Sequence, residues 1–336
     1  MKPSVTVVVP SLACDANLRD CVASLLGQDW EKLTIVVADN SGAGKAAAMF
    51  GSEPRVKVIR MPSNAGFGAA VNRGFEQFPA DYLGTINDDA VAAPDCIRRL
   101  VEELEENPAA GMAAPKILLA GTDRLDSAGM NIAPDGSSRQ RGHGEPEHFY
   151  NEPGEVLLPS GCAALYRAEM LCEIGFFPED FFLYCEDTDL GLRARWAGWS
   201  CIFVPGARVV HRYSASAGRA SALKAWLVER NRLRLVLRVF PASMVAMSFL
   251  WAAARYFWHV LDLLTGDGKA AEFRRQQGGA WRLPWLVVKA HVHLAISLPQ
   301  LLRQRREIAA KRRVRAGQFK AVLRRFSMPV RQVALW

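Results

Sequence analysis

The chain has 336 residues, half of them hydrophobic and 23% charged, which suffices for one large domain or a domain with an appendage and excludes wholesale disorder. The net charge of +8 divides unevenly: residues 1–218 hold 19 basic and 29 acidic residues, whereas residues 219–336 hold 23 and 5. Seven cysteines without a CxxC pair argue against a zinc site and a disulfide framework, and fit a reducing compartment.

Met1-Lys2-Pro3-Ser4 runs straight into a strand-like segment, so no signal peptide and a cytoplasmic location are expected. Val5 to Val9 is a β-branched apolar run closed by Pro10-Ser11, the pattern of a buried strand. Leu18, Val22, Leu25 and Leu26 recur at helical spacing, and Leu33 to Ala38 is a second buried strand stopped by Asp39-Asn40-Ser41-Gly42. An alanine-rich helical stretch leads to a third strand, Val56 to Arg60. Gly68 to Phe78 reads as a helix, Tyr82 to Ile86 as a fourth strand ending at Asn87-Asp88-Asp89, and Cys96 to Glu106 as an amphipathic helix. This βαβα order predicts an α/β fold with a mostly parallel central sheet covered on both faces. Ligands of such sheets collect at the carboxyl ends of the strands, where Asp39 and Asp89 fall. Residues 120–155 lose periodicity and predict irregular structure with a hairpin. Order returns from Leu157 to Met170. Phe181 to Tyr184 reads as a strand or tight turn, Leu190 to Trp196 as a helix and Cys201 to Val204 as a strand.

After Arg219 the pattern is helical: Ala222 to Phe240, a break at Pro241, then Met244 to Leu264. Leu283 to Leu302 is apolar but interrupted by Lys289, His291 and His293, and residues 303–325 are intensely basic. The uncharged run 239–254 is short of the roughly 20 residues of a spanning helix and contains Pro241. Helices lying in the interface are favoured, with Trp251, Trp258, Trp281 and Trp285 at headgroup depth and the basic cluster drawn to anionic lipid. A helical appendage closing on the first half, or on a second copy as a homo-oligomer, is the alternative. No nucleic-acid motif accompanies the charge, so nucleic acid is not an expected partner.

Three motifs carry chemistry. Asn87-Asp88-Asp89 offers carboxylates at a strand end, suited to a divalent cation on a diphosphate or, equally, to a plain turn. Glu186-Asp187-x-Asp189 packs three carboxylates into four residues. Arg193 is placed to pair with Asp189, which leaves Glu186 and Asp187 as a general base or as acids of a helix first turn. Asn64-Ala-Gly66-Phe-Gly68 runs from a loop into a helix that includes Asn72, where backbone N–H groups could meet a diphosphate, or serve only the junction. His211, with Tyr213, Ser214 and Ser216 beyond it, reads as structural as readily as a ligand.

Taken in order, these pieces resemble family 2 of the inverting glycosyltransferases, which have the GT-A fold. The matching stretches are Val7-Val-Val-Pro-Ser11, Val36-Val-Ala-Asp-Asn-Ser41, Asn64 to Gly74, Asn87-Asp-Asp89, Gly161 to Arg167, Gly175 to Leu190, and His211, across roughly residues 3–217. Asn-Ala-Gly-Phe-Gly and Phe-Leu-Tyr-Cys-Glu-Asp-Thr-Asp-Leu are most similar to rhamnosyltransferases acting on lipid-linked glycans. The resemblance implies that Asp39, with Pro10 and Ser11, lines the base pocket. Asn64, Gly66 and Asn72 would border the nucleotide, Asp88 would sit near the ribose, and Asp89 and His211 would hold Mg²⁺ or Mn²⁺ on the diphosphate. Asp187 would be the general base, with Glu186 beside it at the acceptor. Many relatives carry Asp-x-Asp where this chain has Asn87-Asp88-Asp89, and only the last Asp is kept. The implied donor is a nucleoside-diphosphate sugar, dTDP-rhamnose in particular. The implied acceptor is a polyprenyl-diphosphate-linked glycan at the cytoplasmic face of the cell membrane, where the protein would be peripheral. The expected division is a catalytic domain at 1–218 and a membrane-associating helical region at 219–336. The alternatives are a sugar-phosphate nucleotidyltransferase, whose Gly-rich N-terminal signature is missing after Val9-Pro10, and a non-enzymatic scaffold.

Overall fold

A computed structural model describes residues 2–212, 221–266, 268–277, 279 and 281–335. The expected boundary at 218/219, with Tyr213, Ser214 and Ser216, lies outside the described residues.

The first half alternates as the sequence predicts: β1 (Val5–Ser11), α1 (Ala16–Leu26), β2 (Leu33–Asp39), α2 (Lys45–Phe50), β3 (Val56–Arg60), α3 (Phe67–Gln77), β4 (Tyr82–Ile86), β5 (Ala90–Ala92) and α4 (Cys96–Glu106). It continues through β6 (Ala110–Leu119), β7 (Leu125–Ser127), the hairpin β8 (Met130–Ile132) and β9 (Ser138–Gln140), β10 (Gly154–Val156), β11 (Ala163–Arg167), α5 (Ala168–Ile174), α6 (Glu186–Trp196) and β12 (Ser200–His211). The main sheet runs β10-β12-β6-β11-β4-β1-β2-β3, with β5 on β12 and β7 on β6. β3, β2, β1 and β4 are parallel, as are β6 and β12, while β11 enters antiparallel between β4 and β6. The stretch read as irregular holds the expected hairpin and also β7. The strand read at 201–204 is the start of a longer one that carries His211.

Alternation along the strands fills two cores. Val7, Val9, Ile35 and Val37 face Leu18, Val22 and Leu25 of α1 and Ile97, Leu100 and Leu104 of α4. Val8, Val36 and Ala38 face Phe67, Val71 and Phe75 of α3 and the buried side of α6. The sheet is therefore covered on both faces, as runs of apolar residues in parallel strands require.

The helical part comprises α7 (Ala222–Val239), α8 (Ala242–Thr265), α9 (Gly268–Gln277), α10 (Arg282–Ala310), α11 (Ala316–Arg325) and α12 (Val330–Leu335). It packs into the second core: Leu235, Val236 and Val239 of α7 and Phe319 and Leu323 of α11 join the cluster under α6. Trp196 is buried at the end of α6. It stacks on Phe319 at 3.9 Å and 7°, and its indole N–H donates to the Val239 carbonyl at 2.7 Å. Loss of a buried aromatic of this kind costs about 3–5 kcal/mol. The seven cysteines are free.

Candidate active site

Parallel pairing sets Ser11 of β1 beside Asp39 of β2, and Pro10 beside Ala38, at the carboxyl edge of the sheet. The Ser11 hydroxyl donates to Asp88 Oδ2 at 2.6 Å, tying the first strand end to the Asn87-Asp88-Asp89 turn. Burial pushes the Asp88 carboxyl up to about 6; the Ser11 hydrogen bond opposes this and the charge of Asp89 adds to it. Asp39 is fully buried. Its Oδ1 accepts from the Ser41 N–H and hydroxyl and its Oδ2 from the Ala46 N–H at 2.8 Å. Burial alone would raise its pKa, but these donors outweigh it and hold the carboxyl below the usual range. Asp39 thus shapes the 40–46 loop with both oxygens.

Antiparallel pairing of β12 with β5 sets His211 opposite Ala90, one residue from Asp89. His211 Nε2 lies 3.1 Å from Asp89 Oδ1, and Nδ1 lies 2.8 Å from Asp126 Oδ2. Burial disfavours the imidazolium, but the neighbouring Cys162 thiol and the two carboxylates raise the ring's pKa. Asp126, on β7, is itself fully buried and is also contacted by His143 at 3.1 Å. An imidazole whose Nδ1 is fixed by a carboxylate presents Nε2 outward, the usual support for a metal-ligating histidine. Asp89 Oδ1 and His211 Nε2 meet at one spot; the carboxylate oxygen is the donor that Mg²⁺ or Mn²⁺ takes, and the imidazole, when neutral, could add a nitrogen to Mn²⁺. Asp126, His211 and Cys162 also form a buried cluster with ligand atoms within 4.8 Å of one another. A thiol is a poor donor for either of these hard cations, so the Asp89 carboxylate, with His211 beside it, is the better-fitting position.

Asp187 lies in the first turn of α6. Its Oδ2 accepts the Gly161 N–H at 2.9 Å and its Oδ1 the Thr188 N–H at 2.6 Å. Burial raises its pKa while these hydrogen bonds restrain the rise. Glu186 is buried, Oε2 has no hydrogen-bond partner, and burial and the charge of Asp187 push its pKa well up. Asp189 makes the expected pair with Arg193 at 2.7 Å and a second, unexpected one with Arg238 of α7 at 3.1 Å. Gly161 holds Asp187, and the adjacent Cys162 accepts the Asn87 N–H through its carbonyl at 2.8 Å. One peptide step therefore joins the two carboxylate motifs.

Asn64, Gly66 and Asn72 take another position. Asn64 Oδ1 accepts the Gly66 N–H at 3.0 Å. Gly66 has φ +87°, and a Cβ there would stand 2.1 Å from the Phe182 carbonyl oxygen, so glycine is required by the approach of another loop. Asn72 donates to the Phe177 carbonyl at 2.9 Å and to Glu179 at 3.0 Å, and accepts the Phe177 N–H. All three serve the junction between α3 and the segment leading into α6.

That segment is not a strand. After a 3₁₀ turn at Glu179–Phe181, Phe182, Tyr184 and Cys185 have φ of 65°, 72° and 67°, a left-handed backbone costly for such residues. What holds it comes from α7: the Asn231 amide donates to the Phe181, Leu183 and Tyr184 carbonyls at 2.8–2.9 Å, and Arg230 to Phe181 at 2.7 Å. Sequence reasoning missed Asp126 and Asn231, and placed Gly161 only in a matching stretch with no role of its own. Asp126 has no distinguishing local pattern. Asn231 does: a poor helix former among Arg230, Arg232 and Arg234, alternating with Leu227, Leu233 and Leu235, is a polar group on a buried helix face.

The family model described as Glycosyl transferase family 2 matches residues 6–175. The chain belongs to this family. The N-acetylglucosaminyl-diphospho-decaprenol L-rhamnosyltransferase of Mycobacterium tuberculosis is 28% identical over 240 residues, 64% of this chain and 78% of that protein. An N-acetylglucosaminyltransferase of Bradyrhizobium elkanii is 30% identical over 123 residues, 34% of this chain and 67% of that protein. Among solved structures, the mannosyltransferase PcManGT of Pyrobaculum calidifontis, in complex with GDP-Man and Mn²⁺, superposes with a TM-score of 0.54 at 17% identity, covering 93% of this chain and 86% of that one. GalNAc-T7 with UDP, GalNAc and Mn²⁺ gives 0.58 at 15% identity, over 89% and 57%. These two likenesses establish the GT-A fold. As a family 2 glycosyltransferase, the chain is an enzyme that transfers a sugar, which leaves the nucleotidyltransferase and scaffold alternatives without support.

Proposed function

We propose that this glycosyltransferase transfers a sugar, rhamnose by preference, from a nucleoside-diphosphate donor such as dTDP-rhamnose to a hydroxyl of a polyprenyl-diphosphate-linked glycan, with inversion. The observation that carries the reading is the single peptide step from Gly161, which fixes Asp187, to Cys162, which fixes Asn87 beside Asp88 and Asp89. The rhamnosyltransferase relative supports the choice of sugar and acceptor class. Asp187 takes the proton of the acceptor hydroxyl as that oxygen bonds to the anomeric carbon and the bond to the diphosphate oxygen breaks on the opposite face. Its pKa, raised by burial, makes it a stronger proton acceptor than an ordinary carboxylate. Asp89 and His211 would hold Mg²⁺ or Mn²⁺, which when bound offsets the charge of the departing diphosphate. Ser11, Asp39 and Asp88 lie at the strand ends where the nucleoside would sit, with Pro10 beside them and the loop of Asn64 and Gly66 bordering. Glu186, buried beside Asp187, would face the acceptor.

We further propose that residues 1–218 carry the chemistry and that residues 219–336 bring the enzyme to the cytoplasmic face of the membrane as a peripheral protein. Leu250, Trp251, Phe257, Val260 and Leu264 of α8 and Trp285, Val288, Val292 and Ile296 of α10 are exposed, with Trp281 just ahead of α10. Among the described residues α10 is the one helix long and apolar enough to cross a bilayer. Lys289 in its apolar stretch, and the buried Ser297, Leu301 and Ile308 facing the protein, favour a helix lying on the surface.

The test is release of nucleoside diphosphate by the purified full chain, given detergent-solubilised lipid-linked acceptors, a panel of nucleotide sugars and Mg²⁺ or Mn²⁺. Asp187→Asn is expected to lower turnover about 10²–10⁴-fold with donor binding intact. Near-normal turnover in that variant overturns the assignment of the base.

A further inference from the structure

Beside the loop that leads into α6, α7 and α10 gather positive charge around one indole. Lys289 Nζ lies 4.2 Å from the centre of the Trp226 ring and the Arg230 guanidinium 4.9 Å, and the His293 ring meets it edge-on at 6.2 Å. Lys224, half a turn before Trp226, lies 5.4 Å over the ring of Tyr184. Arg230 hydrogen-bonds Asn231 Oδ1 and the carbonyls of Asp180 and Phe181, and among the described residues neither it nor Lys289 forms an ion pair. The nearby carboxylate, Asp180, is occupied by Arg234 and Arg238. The Trp226 indole N–H is buried with no acceptor. Burial and the charges of Arg230, Arg234 and Lys289 together push the His293 pKa down. A concentration of cations with a buried, unmatched donor calls for an anion of several oxygens.

Position narrows the anion. Tyr184 is three residues from Asp187, at most about 11 Å of extended chain. Next to Lys289 and His293, α10 exposes Trp285, Val288 and Val292. The cluster thus adjoins the apolar face and, through Tyr184, lies a few residues of chain from the general base. We infer that Lys224, Trp226, Arg230, Lys289 and His293 form a subsite for the diphosphate of the lipid-linked acceptor, setting its sugar toward Asp187 and its hydrocarbon chain along α10. This rests on the proposed acceptor class and adds where its charge is read.

Binding separates the two. Farnesyl diphosphate, farnesyl monophosphate and farnesol, each in neutral detergent micelles, are titrated against the full chain and against Lys289→Glu, with nucleotide affinity as the control for folding. The diphosphate is expected to bind best, and Lys289→Glu to weaken it at least about tenfold, as loss of one charged contact does, while farnesol is unaffected. Trp226→Phe, which keeps the ring and removes the donor, is expected to weaken the diphosphate selectively as well. Equal binding of the three probes, or a diphosphate affinity unmoved by Lys289→Glu, overturns the subsite. A loss confined to vesicles of anionic phosphatidylglycerol also overturns it, assigning the cluster to lipid headgroups. Should no sugar transfer be found with any lipid-linked acceptor, selective diphosphate binding would still uphold the subsite and only the acceptor sugar would need revision.

Discussion

The sheet half gathers its acids at strand ends and at the start of α6, whereas the helical half uses its arginines in two distinct ways. Along α7 they are buried and, Arg230 apart, paired: Arg234 with Asp180, Arg238 with Asp180 and Asp189, and Arg232 with Glu229 and Asp135, to which Arg255 of α8 adds contacts at 2.6 and 2.7 Å. Along the end of α10 and through α11, Arg303, Arg306, Arg315 and Arg324 are exposed. The charge difference between the halves is therefore partly an internal bond between them and partly an outward-facing field. A buried pair of this kind contributes little net stability but is costly to break from one side. Its effect here is to fix α7 against the loop that presents Asp187.

The largest expected effect follows from that fixation. Asn231→Ala removes the amide donor of the Leu183 and Tyr184 carbonyls and one of the donors to Phe181, which keeps Arg230, beside three residues held in left-handed conformations. A misplacement of about 1 Å at a catalytic group can cost about 10²-fold, so kcat should fall by that order with donor KM nearly unchanged. A kcat within about threefold of the parent would show that the loop holds itself without α7. The comparison would then reduce to two independently working halves.

This link also marks the limit of what the sequence discloses. The strands β1 to β4 and the helix α4 are legible because each is a short run whose periodicity is set by its own neighbours, and Asp89, His211 and Asp187 are legible through motif and resemblance. The pair Asp189–Arg193 is readable from its spacing alone. Asp126 is not, because its partner is 85 residues away and no local pattern marks a strand of three residues. Gly66 is legible only in part for a related reason: a glycine before a helix suggests a phosphate or a plain junction, and only the tertiary fold shows that a carbonyl of the chain itself approaches there. The arginines of α7 and of α11 are equally basic in composition. Only their positions among apolar residues separate the buried set from the exposed one.

Within the sheet half, Asp126→Ala tests whether His211 is oriented from behind. Losing the carboxylate on Nδ1 should weaken the affinity for Mn²⁺ by about 10–100-fold, read as a higher concentration for half-maximal turnover. Turnover at saturating metal should largely return. An unchanged metal requirement would place Asp126 in a purely structural role.

Acid should separate the halves by stability. Burial and Arg255, with Arg139 acting the same way, lower the His259 pKa to about 4, against the opposing pull of Glu229 and Asp135. A neutral group that must take a proton loses stability as pH falls from its ordinary 6.5 toward 4. Glu229, held low against burial by Arg232 and Arg255, keeps its charge across that window and contributes loss only below its ordinary 4.5. Raised carboxylates such as Asp88 act in the opposite direction, so the comparison is between proteins: from pH 6.5 to 4 the thermal midpoint of His259→Phe should move less toward lower temperature, or more toward higher, than that of the parent. Identical slopes in the two proteins would remove His259 from the account.

The smallest effect concerns the outward-facing charges. Arg306 is exposed and forms no ion pair among the described residues, so its contribution is a long-range attraction to anionic lipid, about 1 kcal/mol. Arg306→Gln should lower binding to vesicles containing phosphatidylglycerol by about fivefold, and the difference should shrink with salt as the Debye length falls below about 10 Å. Arg238→Gln should act oppositely. Its guanidinium lies against Asp189 and Asp180, inside the protein, so removing it should reduce stability and turnover while leaving vesicle affinity in place. If both substitutions weakened vesicle binding alike, the positive half would act as one undifferentiated field, and the division between inward and outward arginines would carry no functional meaning.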